Sequence, residues 1–262
     1  MLLLVPGMAG KTIDVGPVAI ASEETPVGFL VVLRGGVSTL RKVLKELEGL
    51  PLIRALVSKE HNGRYTCYII MDARGKLGSV DGIASRIGTV KGVEDVRVYK
   101  PSGRMLTAAP FDILEFSGQR AIVLVQSSFA AFIKSVRKNL GPSGSAILYH
   151  MGALLGQEIF RGYMGLAGYE RSTALSITRD LLKACGLGRV EFVSIDEDAK
   201  TATVRVWNNF ECELFAGSGL PSSHFVRGVI AGWLSAYFGK EVSVREIRCI
   251  AKRDACCEFE VT

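Results

Sequence analysis

PSSHFVRGVIAGWLSAYFGKEVSVREIRCIAKRDACCEFEVT, residues 221–262, is the stretch whose reading decides how the second half of the chain folds. Residues 224–238 read as a helix with small side chains along it, and the remainder reads as a β-hairpin. The hairpin carries Glu246, Cys249 and Cys257, with the polar turn Lys252-Arg253-Asp254 between the two cysteines. A hairpin folds its arms together, so Cys249 and Cys257 are expected to meet across that turn. In a reducing cell this arrangement suits a metal better than a disulfide. Glu246 and Cys249 lie three apart, however, and face opposite sides of a regular strand, so a shared site needs a bulge or a strand end between them. The competing reading makes both cysteines core residues and Glu246 a surface charge.

The helix has its own signal. Gly228 and Gly232 are four apart, with Ala231, Ser235 and Ala236 nearby, so one stripe of it is small. Glycine weakens a soluble helix by about 1 kcal/mol each, which calls for a packing reason. A second helix, or the mirrored helix of a homodimer, is expected against that stripe.

The run G-x-x-x-G-W, followed by REIRC, the polar turn and CEFEV, resembles the 4-vinyl-reductase-type domain over roughly residues 118–262. That family consists of small-molecule-binding domains. It includes sensor modules of aromatic-responsive bacterial regulators, archaeal predicted hydrocarbon-binding proteins and, more distantly, subunits of the TRAPP vesicle-tethering complex. The resemblance implies a zinc site built on Glu246, Cys249 and Cys257. In the sensor members a third cysteine precedes the glycine helix. Here that position is Ser223, a departure from the pattern, and a serine hydroxyl is a poor zinc ligand. His224 or Cys256 is the expected fourth ligand.

The chain has 262 residues, of which 48% are hydrophobic, which favours two domains with packed cores. The net charge of +6 is spread along the chain without a long basic run, so direct nucleic-acid binding is not expected. Three of the six cysteines crowd the C-terminus and the others stand singly, which is no disulfide framework. The N-terminus makes a poor signal peptide, and no run of eighteen apolar residues offers a membrane span. The expected location is the cytoplasm. Gly10-Lys11-Thr12 lacks the first glycine of a phosphate loop, whose position is Val5.

After a mixed segment, 1–26, residues 27–100 have a regular plan. Residues 28–34 read as a strand, Leu40, Val43, Leu44 and Leu47 as one helix face, 52–60 and 64–72 as strands joined at His61-Asn62-Gly63, 80–87 as a second helix and 93–100 as a last strand. The order βαββαβ is the ferredoxin-like plan. With its glycines after the first strand it resembles an ACT-type regulatory domain, and the resemblance implies that the loop 34–38 binds an amino acid at a dimer interface. The plainer reading is that Gly35 and Gly36 only make the turn. Residues 101–117 read as a linker.

The second domain, 118–262, is expected to be α/β, giving an α+β protein overall. Residues 121–126 read as a strand, 129–136 as a helix ending near Gly141-Pro142-Ser143-Gly144, 146–164 and 174–185 as helices, and 190–196 with 201–208 as a hairpin. No catalytic constellation stands out, and no nicotinamide or flavin motif is present. A small-molecule pocket is the better expectation, lined by Phe160, Tyr163, Met164, Trp207, Phe215, Phe225 and Trp233, with His150, Arg161 and Asn209 supplying polarity. The competing reading makes these aromatics plain core. The expected function is a non-enzymatic sensor or regulator of a small hydrophobic or aromatic molecule. A factor or reductase in tetrapyrrole metabolism and a TRAPP-like lipid-binding scaffold are the alternatives that the resemblance implies.

Overall fold

A computed structural model describes residues 19–20, 23–60, 62–101, 105–106, 111–116, 119–166, 168 and 170–262. His61 of the expected turn lies outside them. The chain divides into two compact units, 9–122 and 123–262, the latter grouped with 1–8.

In the first unit the elements are β1 (Ala19–Ile20), β2 (Pro26–Leu33), α1 (Gly36–Glu46), β3 (Leu52–Lys59), β4 (Tyr65–Asp72), α2 (Val80–Thr89), β5 (Val93–Tyr99), β6 (Met105–Leu106), β7 (Leu114–Phe116) and β8 (Gln119–Ala121). Strand order β3-β4-β2-β5, antiparallel throughout, is the ferredoxin-like arrangement. Val27, Phe29, Val31 and Leu33 of β2 pack with Val43 and Leu47 of the α1 segment and with Val80, Ile83 and Ile87 of α2. Leu30, Tyr68 and Ile70 take the opposite face, with Ala19 of β1 and Phe111. Both faces of β2 are therefore covered, which is why its sequence is apolar without alternation. Gly28 is needed there, because a side chain at that position would start 2.6 Å from the Tyr68 hydroxyl. Gly35 (φ 90°) and Gly36 (φ 60°) turn β2 into α1, so both glycines are used in the turn.

In the second unit follow α3 (Gln126–Leu166), α4 (Arg171–Ala184), β9 (Arg189–Asp196), β10 (Thr201–Trp207), the single turn α5 (Phe210–Glu213), α6 (His224–Phe238), β11 (Val244–Arg248) and β12 (Cys257–Val261). The sheet is antiparallel in the order β11-β12-β10-β9. Helix α3 is broken at Gly141 (φ 53°, ψ −129°), before Pro142, so the expected stop is a kink. The strand expected over 121–126 does not form beyond Ala121. Ile122, Val123, Leu124 and Val125 are exposed and lead into α3, whose first turn bonds back to the Val125 carbonyl. Alternation within that run is absent, and no neighbouring strand pairs with it among the described residues.

Helix α6 is apolar nearly all round and lies in the core of this unit. Its small stripe meets α3 of the same chain. A side chain started at Gly228 would stand 2.9 Å from the Tyr149 carbonyl carbon, and one at Gly232 would stand 2.6 Å from that of Ala153. Gly152 and Gly156 of α3 approach the Phe225 and Val229 carbonyls in the same way. The two helices thus run parallel with their backbones touching. The stripe is occupied within the chain and gives no argument for a homodimer.

Candidate functional site

The turn α5 organises one end of α6. Asn209 caps it: its Oδ1 accepts from the Glu211 N–H at 3.1 Å and the Cys212 N–H at 3.5 Å, while its Nδ2 donates to Ser223 Oγ at 2.7 Å. Successive residues of this turn then serve different neighbours. Glu211, fully buried, accepts the N–H groups of His224, Phe225 and Val226 at 3.0, 3.0 and 2.9 Å, which are the free donors at the start of α6. Burial pushes the Glu211 carboxyl up to about 7, against the pull of these three donors and of Arg137. Above that value the carboxylate is ionised and holds all three bonds. At pH 8, Glu211→Gln should therefore cost about 2 kcal/mol in urea denaturation, since an amide has one acceptor oxygen and sets an NH2 group against buried donors. A loss below about 0.5 kcal/mol would show that the cap is redundant.

Cys212 turns the other way, into a cluster with Glu246, Cys249 and Cys257. The four ligand atoms all lie within 4.8 Å of one another, and the three cysteines are fully buried. Cys249 Sγ is 3.4 Å from Cys212 Sγ, which is 3.8 Å from Glu246 Oε1. The hairpin makes this possible through an irregularity: the β11–β12 register shifts between Glu246 and Arg248, and β11 ends before Cys249. Two residues that a regular strand would set on opposite faces thereby share a site. Asp254 in the connection accepts the Cys249 N–H at 2.8 Å and fixes that corner.

Packed together, these groups compete for charge. Hydrogen bonds from Cys212 and Cys257 draw Cys249 far below the ordinary thiol range, and the same contact with Cys249 pushes Cys212 up. Burial, with Cys249 alongside, pushes Glu246 up to about 7. Without a cation, negative charge is concentrated on one sulfur. A divalent ion would allow all four to ionise, because metal binding displaces protons from such ligands. Three sulfurs and one carboxylate form a donor set that zinc takes, and tetrahedral zinc–sulfur bonds of about 2.3 Å put ligand atoms about 3.8 Å apart, close to the spacing here.

Ser223 lies beside this cluster without joining it. Its Oγ is 2.8 Å from Cys212 Sγ, and its N–H donates to Glu246 Oε2 at 3.3 Å. The sulfur absent from position 223 is thus supplied eleven residues upstream, by Cys212. Of the expected fourth ligands, His224 does not enter the cluster; its ring lines a separate cleft with Tyr149, His150 and Arg227. Cys256 is buried apart from the four, on the side of Arg205 and Glu258. No spacing rule points to Cys212. Its only sequence signal is that it is the nearest cysteine upstream of Ser223.

The aromatic set expected to line a pocket is dispersed. Trp233 lines an apolar cavity of about 30 Å³ between α4, α6 and the β9–β10 hairpin, with Thr178, Leu182, Val190, Phe192 and Val229 among its walls. Phe160 sets its edge on Trp233 at 5.3 Å without lining that cavity. Phe225 packs with Phe129 and Phe210, Phe215 lies under the Arg137 guanidinium, and Trp207 lies under that of Arg189. Arg161 is exposed and pairs with Glu158, while Tyr163 and Met164 are half-buried. His150 is exposed in the cleft with His224.

Two polar atoms in the cavity walls stand out. Thr178 Oγ1 and Trp233 Nε1 are buried without a hydrogen-bond partner, on residues 1% and 2% exposed. Unpaired buried groups of this kind are uncommon in native folds. The aliphatic walls were missed by counting aromatics alone. The signal was present as alternation, Val190/Phe192 and Val204/Val206 on the strands, and as a polar residue amid the buried face Ala174, Thr178, Leu182 of α4.

Among the described residues, no helix is long and apolar enough to cross a membrane. Residues 202–262 match the vinyl-4-reductase (V-4-R) domain family. Two uncharacterized proteins of Methanocaldococcus jannaschii are similar to this chain. One is 28% identical over 44% of this chain and 63% of its own length, and the other is 25% identical over 48% and 70%. The match with the first thus spans less than two thirds of that relative. Among solved structures, the phenol-responsive sensory domain of the transcription activator PoxR, with phenol, aligns at a TM-score of 0.50 and 20% identity, over 55% of this chain and 77% of that one. The second unit therefore ends in a segment that matches the vinyl-4-reductase domain and shares its fold with a sensory domain.

Proposed function

We propose that residues 123–262 form a non-enzymatic sensor of a small, mostly apolar molecule carrying one polar group, stabilised by zinc on Cys212, Glu246, Cys249 and Cys257. The observation that carries this reading is the apolar cavity with two unpartnered polar atoms in its wall, the Trp233 indole N–H and the Thr178 hydroxyl. Apolar walls supply the burial, and the two polar atoms choose a ligand able to accept from one and bond the other, such as a phenolic hydroxyl. The likeness to the PoxR sensory domain supports the choice of a sensor fold. The cavity holds about 30 Å³, room for a guest the size of one water, so an aromatic ligand must displace wall side chains. Binding is then coupled to movement, which is what a regulator requires. The ferredoxin-like unit is read as the regulatory partner of this sensor, with an amino acid as its expected effector.

Phenol is the probe that tests this. With Trp207 replaced by phenylalanine, Trp233 is the single indole of the chain, and its fluorescence should change saturably on titration. Thr178→Val should weaken binding about tenfold through loss of one hydrogen bond in an apolar site. Native mass spectrometry of the purified full chain should show a small aromatic or hydrocarbon. A long-chain lipid in its place, or no saturable response to phenol, would replace the sensor reading.

A further inference from the structure

An open cleft of about 460 Å³ lies between the kink of α3 and the start of α6, lined by Pro142, Ser145, Ala146, Tyr149, His150, His224 and Arg227. Its ionisable walls are all cationic or neutral; no carboxylate lines it among the described residues. Arg137 stands close enough to His224 that its charge, with that of Arg227, bears on the imidazole. Neither arginine is in an ion pair among the described residues. Arg227 lies over the Tyr149 ring, 5.0 Å from its centroid, and Arg137 lies over Phe215 at 3.9 Å. Arg227 Nε and Arg137 Nη1 are nonetheless shielded from solvent and lack an acceptor. The nearest acid, Glu211, already accepts three backbone N–H groups of α6.

A guanidinium keeps its charge under all ordinary conditions, and a shielded donor on it without an acceptor is costly. Two such donors beside one cleft, with two imidazoles and no competing acid, form a site complementary to an oxyanion. Guanidinium groups match carboxylate and phosphate geometry with paired hydrogen bonds. Pro142, Ala146 and the Tyr149 ring give the cleft an apolar wall as well, suited to the carbon body of an organic acid. We propose that this cleft is a second ligand site, which takes the carboxylate or phosphate group of a small molecule through Arg227, His150 and His224. It is independent of the apolar cavity and of the metal cluster, and it stands if the sensor reading fails.

The histidines report on it directly. The chain has three, His61, His150 and His224. In NMR of the full chain, titration with benzoate and separately with inorganic phosphate should shift the ring resonances of His150 and His224 saturably and leave His61 unmoved. Benzoate alone would identify a carboxylate with an apolar body; phosphate alone would identify a phosphoryl group. Arg227→Gln should weaken binding of the effective probe at least about tenfold, and His150→Gln, at an exposed position, by about threefold. The second variant keeps the test decisive if the first unfolds. No saturable shift with either anion, equal shifts at His61, or unchanged binding in His150→Gln would overturn the proposal.

Discussion

Gly232→Ala is expected to destabilise the chain by about 3 kcal/mol, and Gly232→Val to prevent the second unit from folding cooperatively. The sign is the informative part. Glycine-to-alanine in a helix normally gains up to about 1 kcal/mol, because alanine loses less backbone freedom on folding. At Gly232 the new carbon would overlap the Ala153 carbonyl, whose carbon is 2.6 Å away, and that neighbour is backbone and cannot rotate aside. Gly162 in α3 has nothing within 4 Å, so Gly162→Ala should show the ordinary gain. Urea denaturation followed by circular dichroism measures both. If the two substitutions shift the midpoint in the same direction, the close backbone approach of α3 and α6 is not real.

Removing the metal should have an effect of similar size. Protein purified without added metal is expected to carry about one zinc per chain, and a chelator strong enough to remove it should lower the melting temperature by about 10 °C or more, as for a structural site. Cys212→Ser and Cys249→Ser should each abolish zinc retention, because each leaves three donors where four are needed. His224→Gln should retain it, since that ring lies in the cleft. Elemental analysis decides between the ligand sets. Zinc kept by Cys212→Ser but lost by His224→Gln would restore histidine as the fourth ligand. A wild-type protein with less than about one zinc per ten chains would make the three thiols ordinary core residues.

Much of the architecture was legible because local pattern and tertiary environment agree. Helix α6 and the hairpins β9–β10 and β11–β12 carry clear periodicity and turn residues. Residues 122–125 misled for a physical reason: four consecutive apolar side chains read as strand, but a strand also needs a neighbour. The site was half legible. Glu246, Cys249 and Cys257 lie within one hairpin, and their spacing already demanded the irregularity that β11 shows. Cys212 was hidden because nothing local ties it to them; only the single turn of α5, held by Asn209 and Ser223, carries it there. The cavity was hidden differently. Its walls are mostly aliphatic, and aliphatic residues in a sequence look the same whether they meet one another or enclose a ligand.

The four glycines between α3 and α6 have a further consequence. Where a side chain would begin, each has a hydrogen directed at a carbonyl of the facing helix: Gly228 at Tyr149, Gly232 at Ala153, Gly152 at Phe225 and Gly156 at Val229. These are carbon-donor hydrogen bonds, each worth about 0.5–1 kcal/mol. They tie main chain to main chain, so the alignment of the pair does not depend on which side chains flank it. Sliding one helix along the other by a single residue would drive a β-carbon into a carbonyl oxygen. The two helices are therefore keyed at one offset, and any rearrangement that opens the cavity beside α6 must carry the second half of α3 with it as one body.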